Sequence, residues 1–303
     1  MSEHQDIVQE SVDGLHGLPL DRGQTGTTEL AEIVVFIDGR SETAGILNFA
    51  SVLAQEHDAH LIGVFIQPEP NVTPAESFAL GLGTLAVIKA HRAQLEKIET
   101  RQRALFEDIA RHQGIRAEWR SLTHWDSEVG AAAHYADLTV IGHSERSGEA
   151  SPSGLVESLI RTSGRPLVLF PLNSTVSRIR RILVGWNASR EAIRAVADAL
   201  PFLVRAEAIE VLAVDAERYR DHGQEPGADI ARHLARHGAK VNVRRVSSGG
   251  EDIGRVLLSR AVSFGADLLV MGAYGHSRLN EWIFGGVTQT MLRETGLPVL
   301  MSQ

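Results

Sequence analysis

IVVFIDGRS, residues 33–41, recurs in the second half of the chain as ILVGWNASR, residues 182–190. Each copy is an apolar run rich in β-branched residues, which is typical of a strand buried on both faces. Small and apolar residues then follow at helical spacing, namely Ala44, Leu47, Ala50, Ser51 and Ala54 in the first half and Ala192, Ala195, Val196, Ala199 and Leu203 in the second. The repeat predicts two α/β domains of the same kind in one chain.

Three further pairs of segments follow in the same order in both halves. They are HLIGVFI (60–66) with AIEVLAV (208–214), ADLTVIGHS (136–144) with ADLLVMGAY (266–274), and GRPLVLF (164–170) with GLPVLMS (296–302). Strands that alternate with helices form βαβ units, which place their strands in a parallel sheet with helices on both faces. The sequence therefore predicts two tandem doubly wound parallel-sheet domains of the flavodoxin-like or Rossmann-like class.

The domain limits are predicted from composition. A short polar stretch, PLNSTVSR at residues 171–178, separates the last strand of one half from the first strand of the next. We therefore expect a first domain at residues 30–172, a second at residues 178–303, and a disordered polar tail at residues 1–29. The closing strands PLVLF and PVLMS are natural sheet edges, and pairing them with each other or with another chain would cover their free backbone groups.

The first half carries a long insertion at residues 68–113. It contains a loop, PEPNVTPAES, and then a helical pattern whose apolar residues are Leu85, Ile88, Leu95, Ile98, Leu105 and Ile109. An apolar stripe at this spacing is typical of a helix that packs on a core, and a partner-binding surface is the alternative.

The composition limits the classes of function. The chain has 303 residues, of which 43% are hydrophobic and 22% charged, and it contains no cysteine. Disulfides, thiolate metal sites and cysteine nucleophiles are thereby excluded. The formal net charge of -8 argues against sequence-independent binding to nucleic acid. With no run of about 18 apolar residues and no secretory signal in the acidic N-terminus, the sequence predicts a cytoplasmic protein without membrane contact.

A glycine-containing loop follows the strand that ends at Met271. The segment GAYGHSRLNEWIFGGVTQTML contains Gly272, Gly275, Gly285 and Gly286, ahead of a predicted helix that includes Val287. Glycines let a backbone approach a polyphosphate closely, and the free N–H groups at a helix N-terminus bind anions. Because open α/β sheets bind ligands at the carboxyl ends of their strands, the loop predicts a phosphate site, with turn and capping glycines as the alternative explanation.

The pattern Gly-x-x-Gly, nine residues, Gly resembles the signature of the universal stress protein family. It follows ADLLVMG and precedes GLPVLMS, the first-strand segment ILVGWNASREA is also similar, and the likeness spans residues 31–302 as two tandem copies. The resemblance implies a fold related to the adenine nucleotide alpha hydrolases and the formation of homodimers. It also implies that ATP or a related adenine nucleotide is bound by some members and by others not.

By this resemblance, eight residues of the second half form a nucleotide site. They are Asn187, Val214, Met271, Gly272, Gly275, Gly285, Gly286 and Val287. Two depart from ATP-binding members: Gly286 stands where Ser or Thr is usual, and Asn187 where an aspartate is usual. The first change removes a hydroxyl contact to phosphate, worth about 1.5–3 kcal/mol, and the second keeps a carbonyl acceptor but loses the charge. Two roles are compatible with Trp186: it can stack on a base, or it can form part of the core or of the pocket wall.

The first half resembles a degenerate copy of that site. Its counterparts are Asp38, Val64, Gly142 and Gly154. Its loop, GHSERSGEASPSGLVESL, is shorter than that of the second half, and Glu145 replaces the second glycine. Because a carboxylate repels phosphate, packing rather than nucleotide binding is the expected role of this half.

The sequence therefore predicts a stress-response regulatory protein that binds ATP or another adenine nucleotide, with or without Mg²⁺, in its second half. Two alternatives stay open: a nucleotide-free scaffold or chaperone-like interaction protein, and a slow ATPase, for which no positioned general base is visible. We expect the two domains to pack as a pseudo-dimer. A homodimer of the whole chain and an unidentified regulatory partner are compatible with the sequence.

Other candidate motifs receive simpler explanations. SSGGEDIG, residues 247–254, is similar to the phosphate loop of ATP pyrophosphatases, but it follows a later strand and is interpreted as a turn before a helix. Glu251 with Asp252, and Asp126 with Glu128, are explained as charges at helix N-termini rather than as acid–base pairs. The histidines that invite a metal interpretation are expected to be solvated surface residues: His57, His60, His233 and His237.

Overall fold

The computed structural model describes residues 29–38, 43–67, 83–122, 125–143, 154–218, 225–273 and 286–303, with the side chains of residues 83–84 and 125–129 excepted. Several sequence predictions lie outside the described residues. They concern the tail up to residue 28, the loop at residues 68–77, Glu145, Gly275, Gly285, and the side chains of Asp126 and Glu128.

Each half contributes five strands and four α-helices among the described residues. The first half contains β1 (Glu32–Ile37), α1 (Thr43–His57), β2 (His60–Ile66), α2 (Gly83–Gln113), β3 (Ala117–Leu122), α3 (Trp125–His134), β4 (Leu138–His143), α4 (Leu155–Thr162) and β5 (Leu167–Pro171). The second contains β6 (Arg181–Gly185), α5 (Arg190–Leu203), β7 (Ala208–Val214), α6 (Ala228–Arg236), β8 (Val241–Val246), α7 (Ile253–Phe264), β9 (Leu268–Gly272), α8 (Gly286–Glu294) and β10 (Val299–Ser302). The predicted alternation of strands and helices is confirmed.

The ten described strands form one continuous sheet in the order β3-β2-β1-β4-β5-β10-β9-β6-β7-β8. Within each half the neighbouring strands are parallel, as βαβ crossovers require. The order inside each half is 3-2-1-4-5, which is the Rossmann order rather than the flavodoxin order. The winding changes direction between β1 and β4 and again between β6 and β9, and open α/β sheets form their ligand crevices at such points.

The two halves meet where β5 pairs with β10 in antiparallel orientation. The paired residues are Leu169 with Val299, Val168 with Leu300, and Leu167 with Met301. All six are fully buried, so two sheet edges that would otherwise be open are covered. The closing strands are therefore paired with each other, which is one of the two arrangements that the sequence predicts.

Alternate strand residues point to opposite faces of the sheet, and each face carries its own apolar core. One face packs against α1, α2, α5 and α6, with Phe49 and Phe106 among its buried residues. The other face packs against α3, α4, α7 and α8, with Leu159 and Met291 among its buried residues. In the part of the chain that the structure describes, no helix combines the length and the apolar character needed to cross a membrane.

The long helix α2 is only partly a core element. Leu95 and Phe106 are buried, and the half-buried residues of the stripe that pack on the core are Ile98, Leu105 and Ile109. Near the start of the helix, Leu85 is 60% exposed and Val87 is 44% exposed. The predicted apolar stripe therefore contributes to the core from Leu95 onward, and its first two turns do not.

His57 corrects one sequence prediction, because it is buried rather than solvated. It is the last residue of α1 and is 4% exposed. Its ring lies edge-on to that of Phe202 in α5, with 5.5 Å between the ring centroids, so it belongs to the contact between the halves. Burial, and after it the charge of Arg205, lower the pKa of His57 from 6.5 to about 4. Arg205 in turn donates a hydrogen bond to the backbone oxygen of Glu56, so a cation is already fixed beside the ring.

Candidate functional site

A crevice opens in the second half where β6 and β9 end side by side. β6 ends at Gly185 and β9 at Gly272, and the helices that follow them pack on opposite faces of the sheet. The crevice has a volume of about 710 Å³, including space open to solvent. The enclosed part of it is about 130 Å³, below the range of about 300–1,000 Å³ that is usual for ligand clefts, so the described residues would surround only part of a small organic molecule.

The lining of the crevice contains both apolar and polar residues. The apolar side chains are those of Leu212, Val214, Ile253, Leu257, Met271 and Val287. The polar side chains are those of Asn187, Ser189 and Thr288. Trp186 and three glycines, Gly185, Gly272 and Gly286, complete the wall.

Six of the eight predicted site residues lie around this crevice: Asn187, Val214, Met271, Gly272, Gly286 and Val287. Gly275 and Gly285 lie outside the described residues. The lining residues that the sequence did not single out are Gly185, Ser189, Leu212, Ile253, Leu257 and Thr288. Of these residues, Thr288 could have been recognised from the sequence, because it is a polar residue three positions before Met291, on the buried face of an amphipathic helix.

The N-terminus of α8 borders the crevice. Gly286, Val287 and Thr288 are the first three residues of this helix, and all three line the crevice. The first N–H groups of a helix have no partner within the helix, and the helix dipole adds partial positive charge there. This end of the crevice therefore suits an anion.

Gly272 has a packing reason to be glycine. A Cβ at this position would lie 2.5 Å from the backbone nitrogen of Ala192 and 2.5 Å from the backbone carbonyl carbon of Glu191. Both atoms belong to the first turn of α5, so the end of β9 meets the start of α5 backbone to backbone. This contact requires glycine whether or not a ligand is bound, and Gly272 is therefore no independent evidence for a phosphate.

Gly286, in contrast, is not imposed by packing. A Cβ here would meet Asp252 Oδ2 at 3.8 Å, which is an ordinary contact distance, and the backbone φ is not positive. A serine or threonine would fit. The hydroxyl that is missing at this position is thus a feature of this sequence and not a consequence of its fold.

Asn187 shapes the turn that follows β6. Its Oδ1 accepts a hydrogen bond from the N–H of Ser189 at 3.1 Å, and Ser189 Oγ accepts one from the N–H of Ala192 at 3.2 Å. Ser189 is the N-cap of α5. The carbonyl acceptor expected of Asn187 is present, but the protein itself uses it to hold the start of α5.

Asp252 ties together two helices that flank the crevice. Its Oδ1 accepts a hydrogen bond from the N–H of Arg255 at 3.0 Å, which makes it the N-cap of α7, and another from Thr290 Oγ1 of α8 at 2.9 Å. Arg255 also pairs with Glu294 of α8 at 2.8 Å, and this hydrogen-bonded guanidinium lowers the pKa of Glu294. The interpretation of SSGGEDIG as a turn before a helix is confirmed.

The corresponding crevice of the first half is smaller and filled. It has a volume of about 340 Å³ and includes Asp38 and Gly142 in its lining. Leu172, just after β5, occupies the space, since a Cβ on Gly142 would lie 2.8 Å from its Cδ2 atom. Leu155 of α4 also lines it. Gly154 precedes α4 with a φ of 97° and provides no side-chain cap.

The strand register corrects one predicted counterpart in the first half. The pairing of β2 with β1, compared with that of β7 with β6, places Ile66 and not Val64 at the position of Val214. Ile66 also lines the first-half crevice, whereas Val64 lies two residues earlier, inside the sheet core.

The described residues contain no group of three or more His, Asp or Glu side chains that could hold a metal ion. His233 and His237 are exposed on α6, as expected, with 4.8 Å between their ring centroids.

The fold and the crevice together define a doubly wound α/β protein whose second half carries an open crevice bordered by the N-terminus of a helix. Residues 178–303 match the sequence model of the Universal stress protein family. The second half of the chain is therefore similar to the proteins of this family.

Known proteins are similar in sequence and in structure. A curated universal stress protein of Synechocystis sp. is 27% identical over 151 residues, which are 48% of this chain and about half (49%) of that protein. The solved structure of a universal stress protein from Archaeoglobus fulgidus has a TM-score of 0.65 at 16% identity and covers 90% of this chain and 98% of its own. A universal stress protein solved in complex with cAMP is less similar, with a TM-score of 0.32 at 19% identity over 48% of this chain and 99% of its own. The similarity to the Archaeoglobus protein extends the shared fold to both halves.

Proposed function

We propose that this protein is a regulatory binding protein of the stress response, and that it holds ATP or a related adenine nucleotide in the crevice of its second half. The presence in that crevice of both apolar lining residues and a helix N-terminus supports the proposal. An adenine ring suits the first because it is flat and largely apolar, and phosphates suit the second because α8 has free N–H groups there. Mg²⁺ would accompany a triphosphate as its counter-ion.

Binding is favoured over hydrolysis by the residues around the crevice. Among the described residues that line it, none is an Asp, Glu or His able to act as a general base toward an attacking water. A slow ATPase would need such a group from outside this lining. The lining thus supports binding of a nucleotide without its hydrolysis.

A nucleotide-free scaffold is the second candidate, and specific observations favour it. Gly286 supplies no hydroxyl, and the acceptor oxygen of Asn187 is used by Ser189. In the first half, the protein's own side chains fill the equivalent crevice, so the fold does not need a ligand there. The two candidates differ in one observable, which is the affinity for a nucleotide.

We also propose that the protein acts in the cytoplasm through a regulatory partner and that whole chains form dimers. β3 and β8 are the outer strands of the described sheet, so each has one edge without a neighbouring strand. A second copy would extend the sheet at such an edge. Light scattering over a range of protein concentrations tests the dimer, and a mass of one chain throughout would contradict it.

Calorimetric titration with ATP tests the proposed function. Val287→Asp places a carboxylate in the crevice at the N-terminus of α8, where a negative charge favours the helix but repels phosphate. We expect heat of binding with the wild type and none with this variant. Gln289→Asp is the matched control, because it adds the same charge to the same helix at a residue that is not part of the lining. No heat from the wild type at millimolar ATP would contradict the proposal and favour the scaffold.

A further inference from the structure

The start of α2 carries an apolar surface that is open to solvent. Leu85 and Val87 are exposed there, and the half-buried Ile88 lies between them around the helix. From Leu95 onward, the same side of α2 packs on the core. Elsewhere in the described chain, the exposed large apolar side chains stand singly: Tyr135, Ile193, Val243 and Val262. We call the surface of Leu85, Val87 and Ile88 the α2 surface.

Positive charge surrounds the α2 surface. Between residues 85 and 101, cations outnumber carboxylates by four to two. One of the carboxylates, Glu99, accepts a hydrogen bond from Gln67 at 3.2 Å. The four cations are exposed and, within the described part of the chain, belong to no ion pair: Lys89, Arg92, Lys97 and Arg101. In a chain with a formal net charge of -8, this stretch of α2 attracts an acidic segment.

The exposed valine of α7 has the opposite surroundings. Val262 borders a surface groove together with Glu251, Arg255 and Glu294. The guanidinium of Arg255 is already paired with Glu294 at 2.8 Å. An acidic segment is therefore drawn to α2 and not to this groove.

The N-terminal residues of the chain have the pattern of an acidic amphipathic helix. Carboxylates recur at spacings of three and four, as do apolar residues. The first set is Glu3, Asp6, Glu10 and Asp13, and the second is Val8, Val12 and Leu15. These spacings place the two sets on opposite sides of a helix. The chain up to residue 28 lies outside the described residues, so an apolar side of this kind needs a surface to cover it.

The described chain begins close to the other end of α2. Glu29 pairs with Arg205 at 3.4 Å, and Arg205 is also hydrogen-bonded to the last turn of α1. α2 ends at Gln113, beside that same turn of α1. From Gln113 back to Ile88, α2 is about 38 Å long, and residues 16–28 can span about 43 Å. The acidic segment therefore reaches the α2 surface of its own chain.

We infer that residues 3–15 bind as an amphipathic helix to the α2 surface of the same chain. Their apolar side covers the α2 surface, and the unpaired cations of α2 attract their carboxylates. While this segment is bound, the surface is closed to other proteins. The inference is independent of nucleotide binding, since the α2 surface belongs to the first half.

Disulfide formation tests this contact, because the natural chain contains no cysteine. In the full chain, Ser11→Cys, on the apolar side of the segment, is combined with Val87→Cys. The control combines Ser11→Cys with Val262→Cys, since Val262 is even more exposed than Val87. The effective concentration of each thiol pair is measured in a glutathione buffer. We expect it to be about 10-fold or more higher for the Val87 pair, with the disulfide inside one chain.

Changes in the segment separate docking from simple tethering. Val12→Asp removes an apolar contact, and Glu10→Lys with Asp13→Lys reverses the charge. Added to the Ser11 and Val87 cysteine pair, each change should bring its effective concentration to within about 2-fold of the control pair. Gln9→Asp is the matched control for Val12→Asp, because it adds the same charge away from the apolar side and should keep the preference for Val87.

Three outcomes would overturn the inference. Equal effective concentrations for the Val87 and Val262 pairs would show that the segment does not prefer α2. A preference for Val87 that survives Val12→Asp and the charge reversal would show that tethering alone brings the thiols together. A disulfide at the mass of two chains would show that α2 binds the segment of a second copy and not its own.

Discussion

The two halves of the chain share a strand order but differ in what occupies the ends of their central strands. In the first half, Leu172 and Leu155 help to reduce the crevice to about 340 Å³. In the second half, the N-terminus of α8 borders about 710 Å³. The same topology thus carries a filled site and an open one, and a few side chains make the difference.

The largest expected effect concerns Gly272 in β9 and Gly142 in β4, and it tests whether the two positions tolerate a side chain equally well. In Gly272→Ala the new methyl group would press on the backbone of Glu191 and Ala192, which cannot move aside, and we expect a loss of about 3 kcal/mol or more in the free energy of unfolding. In Gly142→Ala it would meet the side-chain end of Leu172, which can rotate, and the loss should be below about 1 kcal/mol. Urea unfolding of both variants measures the difference. Equal losses would show that the close contact at Gly272 is not needed.

The next effect concerns the contact between the halves and depends on pH. The pKa of His57 is lowered from 6.5 to about 4 in the folded protein. Protonation is therefore easier in the unfolded chain, and the contribution of His57 to stability is complete above pH 6.5 and lost as the pH falls toward 4. The loss amounts to about 3 kcal/mol when fully developed.

Replacing His57 tests whether its buried ring causes this loss of stability at low pH. In His57→Leu the part of the acid destabilisation between pH 6.5 and 4 that is due to this residue should disappear, as measured by thermal unfolding across that range. An unchanged pH dependence in His57→Leu would show that other groups cause the acid sensitivity.

The smallest expected effect concerns the glycines at the N-termini of α8 and α4, which are Gly286 and Gly154. Gly286→Ser adds a hydroxyl where the structure has room and an ordinary φ, and it should raise the ATP affinity about 10-fold. Gly154→Ser in the first half meets a φ of 97°, so it should cost about 1 kcal/mol of stability and create no binding. Calorimetry and thermal unfolding check the pair. A loss of ATP affinity in Gly286→Ser would contradict the assignment of phosphate to this end of the crevice.

The sequence predicts the strands of both halves because a strand buried on both faces needs an unbroken apolar run, as in IVVFI and ILVG. It also brings Asn187, Val214 and Met271 to one crevice, because the carboxyl ends of parallel strands meet at one sheet edge. The pairing of β5 with β10 follows from the same reasoning, since two apolar strands at sheet edges need partners.

Other features depend on contacts between residues that are far apart in the chain. There are three such features: the filling of the first crevice by Leu172, the burial of His57 against Phe202, and the close approach of Gly272 to α5. Ile66 does not stand out in the sequence, because Val64 resembles Val214 in residue type and only the strand register distinguishes the two positions.

The central claim is that only the second half holds a nucleotide, and native mass spectrometry of the whole chain in saturating ATP tests it most directly. We predict one ATP per chain, retained in Asp38→Ala of the first half and lost in Val287→Asp of the second. Two ATP molecules per chain, one that survives Val287→Asp, or none at all would contradict the claim.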